Sequence, residues 1–98
     1  MTAIARLGDK TKGTCYNHNS PISVGGTIIT GSSNDTADGY PVARLGDIIK
    51  SDCGHYSTII TASSNSFSDS LGVARLGDIG SGDYKCTIIT GSPNCNTT

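Results

Sequence analysis

Tryptophan is missing from this chain, aromatic residues make up 5% of it, and Glu, Gln and Met hardly appear. So few strong helix formers point away from helices. No stretch approaches the roughly 18 apolar residues of a membrane span, and residues 1–9 lack the apolar core of about 7 to 15 residues that marks a signal peptide. The chain is therefore expected to be soluble, made in the cytoplasm without an export signal of its own, and not stably inserted in a membrane. The net charge is −1, and no stripe or cluster of Lys or Arg stands out along the sequence. The counterion release that drives nucleic-acid binding is then absent, so nucleic acid is not an expected partner.

What fills the chain instead is Gly, with Ser, Thr, Asn and Asp between short apolar blocks. That composition reads as an all-β protein of short strands joined by turns. At 98 residues it is a single small domain with little core to divide, and something beyond packing must staple it.

Two blocks recur in the same order. Ala-Arg-Leu-Gly-Asp stands at residues 5–9, 43–47 and 74–78, and each copy is followed by Thr-Ile-Ile-Thr, at 27–30, 58–61 and 87–90. Three copies of one unit, at approximately 3–39, 40–71 and 72–98, share a core that none completes alone. Three units in so short a chain suggest closure around an axis, with approximate threefold symmetry. Gly8, Gly46 and Gly77 suit a positive-φ turn whose Asp caps backbone N–H groups. Arg6, Arg44 and Arg75 either brace that turn or dock a partner, and Leu7, Leu45 and Leu76 are read as core. Adjacent Ile side chains on a strand point to opposite faces, so both faces are expected to meet apolar surface, with one Ile of each pair at the axis.

The loops between the blocks differ in length, with 17, 10 and 8 residues before the Thr-Ile-Ile-Thr of each copy. They hold Cys15, His18, Cys53, His55 and Cys86 at comparable points of the repeat. Loops around one axis converge at one end, so these five are candidate ligands for a metal, four of which complete a tetrahedral site. His55 and Cys86, close before their strands, stand first, and Cys15, His18 and Cys53 compete for the remaining places. Cys95, in a polar tail, is expected at the far end as a structural thiol. Reduced cytoplasmic thiols favour metal over disulfides. Structural zinc in small metal-dependent domains adds an apparent binding energy of about 10 to 16 kcal/mol.

The paired blocks, with Cys and His between them, resemble the PAAR-repeat family, and Pro41-Val42-Ala43-Arg44 is the nearest copy of its signature. The resemblance implies a small cone of short strands, metal-stapled at its apex by zinc, or iron in its place. It also implies a structural role as a membrane-piercing tip on the blunt end of a trimeric β-helical spike, one chain per trimer, in contractile phage tails or type VI secretion systems. With no effector extension, the chain is most similar to the small stand-alone form of T-even type myophages. The implied location is the baseplate of the virion, and the implied contact with the host envelope is transient. Cys53 and His55 lack an orienting third group, and no phosphate loop or paired-carboxylate site is evident, so an enzyme is not expected. The alternative is a stand-alone β-rich module of the ice- or carbohydrate-binding type.

Overall fold

The computed structural model describes residues 2–97, and every regular element among them is a strand. The strands are β1 (Thr2–Ala3), β2 (Lys10–Cys15), β3 (Ile22–Ile28), β4 (Thr36–Ala37), β5 (Tyr40–Pro41), β6 (Ile48–Ser51), β7 (Tyr56–Ile59), β8 (Phe67–Ser68), β9 (Leu71–Gly72), β10 (Ile79–Gly82), β11 (Tyr84–Ile88) and β12 (Asn96–Thr97). Each repeat contributes one hairpin, β2–β3, β6–β7 or β10–β11, and the three hairpins close into a barrel of order β10-β11-β2-β3-β6-β7. The remaining strands pair as three short ribbons, β1–β12, β4–β5 and β8–β9. Because each ribbon leads into an Arg-Leu-Gly-Asp block and each block into a barrel hairpin, ribbons and hairpin loops lie at opposite ends. The body measures 39 × 23 × 21 Å, nearly twice as long as it is wide.

Threefold closure is visible in the backbone. The N–H of Ala5 donates to the carbonyl of Ala74, that of Ala74 to Ala43, and that of Ala43 to Ala5, at 2.9, 2.9 and 3.0 Å. Three chain segments can meet around one line this closely only if the side chains there are small, and all three alanines are fully buried. One level up, Ile28 pairs with Ile49, Ile59 with Gly80 and Ile88 with Thr11. Large, absent and medium side chains thus alternate at three equivalent sites. A Cβ on Gly80 would lie 2.9 Å from Cδ1 of Ile49, so the bulk of one repeat fills the space left by another.

The three blocks make the same brace. Asp9, Asp47 and Asp78 each accept the backbone N–H and the guanidinium of the Arg three residues earlier. Each also accepts the hydroxyl of a Thr that ends the preceding Ile pair, Thr30 to Asp47, Thr61 to Asp78 and Thr90 back to Asp9. The preceding glycines have φ of +90°, +91° and +92°. Arg and Asp therefore hold the turn, as one of the two sequence readings has it.

Two expectations are corrected. The first Ile of each pair is buried at 1% exposure, but Ile29, Ile60 and Ile89 are 42%, 50% and 49% exposed, so the outer face is only half covered within the chain. The leucines are not core: Leu45 and Leu76 are 38% and 40% exposed and Leu7 is partly buried. Each leucine stands at the corner before a positive-φ glycine, with its N–H tied to a ribbon carbonyl of Pro41, Gly72 or Ala3, while the preceding alanine takes the axis.

Candidate metal centre

Three local features carry the ligands to the barrel's loop end. Cys15 is the last residue of β2 and is fully buried. His18 lies on the long first loop, held against the β10–β11 turn by Tyr16 N–H donating to the Asp83 carbonyl and by the Asn17 amide donating to the Asp83 carboxylate. Cys53 and His55 lie on the β6–β7 loop. That loop is closed by the N–H of Ser51 donating to the His55 carbonyl at 2.8 Å and by Gly54 at a φ of +92°. The Ser51 hydroxyl donates to the His55 carbonyl, accepts the His55 N–H and sits 2.9 Å from Sγ of Cys53.

The outcome is a group of Cys15, His18, Cys53 and His55 whose ligand atoms all lie within 4.8 Å of one another. Nδ1 of His55 is 3.2 Å from Sγ of Cys15 and 3.4 Å from Sγ of Cys53. The His18 and His55 rings meet edge to face at 4.9 Å. A tetrahedral zinc site with its usual bond lengths separates its ligand atoms by about 3.3 to 3.8 Å, so the donor set fits such an ion with adjustments of a few tenths of an ångström to about an ångström. The chemistry agrees: one Nδ1 carries a single proton or a single lone pair and cannot serve two sulfurs, whereas a shared cation satisfies all three atoms. The Ser51 hydroxyl and then His18 lower the Cys53 thiol to about 5, so it is a ready thiolate at neutral pH, while burial raises that of Cys15.

Cys86, placed first among the ligands with His55, does not join the group. The third loop is the shortest, so residue 86 already lies inside β11, facing the barrel interior with Tyr84 and Ile88. It packs in the core beside the Ser57 hydroxyl, and burial raises its thiol. Cys95 packs at the ribbon end with Ile4, Ala37, Val42 and Val73. All four cysteines are free thiols. Sequence reasoning missed Ser51, which orders the ligand loop; its one signal was Gly54, the turn residue between the two ligands. It also missed Tyr84, fully buried beneath Cys15, whose hydroxyl lies 2.9 Å from that of Thr11 and donates to the Val24 carbonyl. Burial pushes that phenol up to about 12.

The sequence profile of the PAAR motif matches residues 17–82, which include all of the second block pair and three of the four clustered ligands. The chain belongs to the PAAR motif family. No curated protein matches it. PAAR proteins form a structural family of spike tips, of the type VI secretion or phage kind, and cap their spike partners. The Cys/His group at the loop end is a site able to hold a metal ion.

Proposed function

We propose that this PAAR protein is the tip of a contractile-tail spike of the phage type, one chain capping one trimeric β-helical spike and presenting a metal-stapled point to the host envelope. The observation that carries the reading is the closed ring of alanine hydrogen bonds, by which one chain repeats the same backbone arrangement three times around a line. A trimeric β-helix ends in three strand edges, and an exposed edge recruits further pairing unless it is covered. A single chain with three near-equivalent faces covers all three.

The ribbon end is the docking face in this reading. It exposes Tyr40, Phe67 and Leu71 at 56%, 64% and 40%, near the outward Leu45 and Leu76, an apolar surface that a partner would shield. The first Ile of each pair is sealed in the barrel, so only Ile29, Ile60 and Ile89 remain available to a partner. At the other end, Cys15, His18, Cys53 and His55 would hold a zinc ion with protein ligands alone, so the ion would supply cross-linking rather than catalysis. Cys15 ties β2, His18 the first loop, and Cys53 with His55 the β6–β7 loop, so that end resists splaying when the contracting sheath drives it forward.

Mixing the chain with a trimeric spike fragment and weighing the eluted complex tests the reading. One chain per trimer is the expected result. Three chains per trimer would overturn the single-chain cap, and no association would overturn it in favour of a free-standing β-module.

A further inference from the structure

Cys15 and Cys53 come from different hairpins, and closure of the barrel brings their sulfurs to a single nitrogen. Sγ of Cys15 lies 3.2 Å from Nδ1 of His55, Sγ of Cys53 lies 3.4 Å from the same atom, and the two sulfurs are no more than 4.8 Å apart. Both are free thiols. A disulfide holds its sulfurs at about 2.05 Å, so this pair needs only a short approach to bond. One partner lies where the chain can make that approach: Cys53 stands between β6 and β7 next to Gly54, whereas Cys15 is the last residue of β2.

The two thiols differ in access. Cys15 is fully buried and Cys53 is partly exposed, so a small oxidant arriving from solvent meets Cys53 first, with Cys15 behind it. The other two cysteines are out of reach. Cys86 pairs with Gly13, two residues along β2 from Cys15, which sets the two Cα atoms about 8 Å apart on the sheet lattice, beyond the roughly 7 Å that a disulfide spans. Cys95 packs at the ribbon end with Ile4, Ala37, Val42 and Val73.

We propose that Cys53 is a peroxide-reactive thiol and Cys15 its resolving partner, so that the loop end carries two mutually exclusive cross-links, a metal ion or a Cys15–Cys53 disulfide. Hydrogen peroxide is the oxidant. Sγ of Cys53 attacks one peroxide oxygen, the O–O bond breaks, and the thiol proton leaves with the other oxygen as water, giving a sulfenic acid. Sγ of Cys15 then attacks Sγ of Cys53; the S–S bond forms, the S–O bond breaks, and the hydroxyl departs with the Cys15 proton as a second water. Peroxide gains two electrons and the two thiols lose them.

Either link joins the end of β2 to the β6–β7 loop, but only a metal ion also engages His18. Oxidation therefore keeps the mouth of the barrel closed while it releases the ion, leaving the first loop to the contacts of Tyr16 and Asn17 with Asp83. A bound ion would occupy the sulfur lone pairs that both steps use, and so would shield the pair. The exchange rests on the metal reading of this site and is independent of the capping reading.

The test treats the full chain with hydrogen peroxide, once reduced and zinc-loaded and once reduced and stripped by a chelator. Peptide mapping by mass spectrometry without reductant is expected to show a Cys15–Cys53 link in the stripped chain, with Cys86 and Cys95 still open to alkylation after unfolding. Zinc should slow the reaction about tenfold or more, and dithiothreitol should restore zinc uptake to the oxidised chain. The oxidised chain should melt about 5 °C or more above the stripped, reduced one. Cys86→Ala should form the same link, and Cys53→Ser should form none. A link through Cys86 or Cys95, disulfide-joined pairs of chains, oxidation of Cys53 without a link, or equal rates with and without zinc would each overturn the proposal. Failure of the reduced chain to take up zinc would overturn the exchange together with the metal reading, and would leave the capping reading untouched.

Discussion

Cys15 and Cys86 show how little separates a ligand from a core residue. Both are buried thiols on adjacent strands, yet Cys15 closes its strand at the loop end beside His55, while Cys86 faces Ser57 lower in the barrel. Cys86→Ala is expected to keep one metal per chain, by elemental analysis, while lowering stability by about 1 to 2 kcal/mol. Cys53→Ala or His55→Ala should lose the metal. A second contrast is steric. A Cβ on Gly13 would stand 1.9 Å from the Lys85 carbonyl oxygen, a backbone atom that cannot move without parting β2 from β11. Gly13→Ala should therefore cost roughly 2 to 4 kcal/mol in denaturant unfolding. The composition announced neither distinction, because burial and strand level follow from register rather than residue type.

At the scale of the repeated element, the Arg-Leu-Gly-Asp turn was legible from its residues. A glycine before an Asp, three times over, predicted positive φ and a capping carboxylate, and both are present. The Thr that completes each brace was not legible, since it comes from the preceding repeat or, for Asp9, from the far end of the chain. Thr61→Val should lower stability by about 1 to 2 kcal/mol, and Thr30→Val and Thr90→Val by similar amounts if the braces are equivalent. The turn also sets an acid response. Burial alone would raise the Asp78 carboxyl, but hydrogen bonds from Arg75 and Thr61, with the Arg75 charge, bring it below the usual carboxylate value. A carboxyl depressed in the folded state contributes stability that is complete above its unfolded value of about 3.9 and fades as pH falls through the lower folded one. The stability gap between the parent and Asp78→Asn should therefore be constant near neutrality and close below about pH 4, as followed by urea unfolding across pH.

For the molecule as a whole, a metal held by Cys15, His18, Cys53 and His55 would join the first loop to the β6–β7 loop. Chelation is expected to lower the melting temperature by about 10 °C or more, and to remove amide protection first in the β2–β3 and β6–β7 loops. The three buried Ile residues, Ile28, Ile59 and Ile88, sit on paired strands and should keep their protection longest. Uniform loss of protection along the chain would show that the ion holds the entire fold rather than the loop end.

By itself the sequence determined the repeat, its threefold number, the strand content, the turns and the pool from which the ligands come, because each is written in local residue types at fixed spacing. Only the tertiary structure decided which four of the five donors meet, which Ile of each pair is sealed, and that Leu45 and Leu76 face outward. Those outcomes depend on strand register and on closure of the barrel. Register turns a shift of one residue into a change of face, and closure brings Thr90 beside Asp9 and Cys15 beside His55 across long stretches of chain.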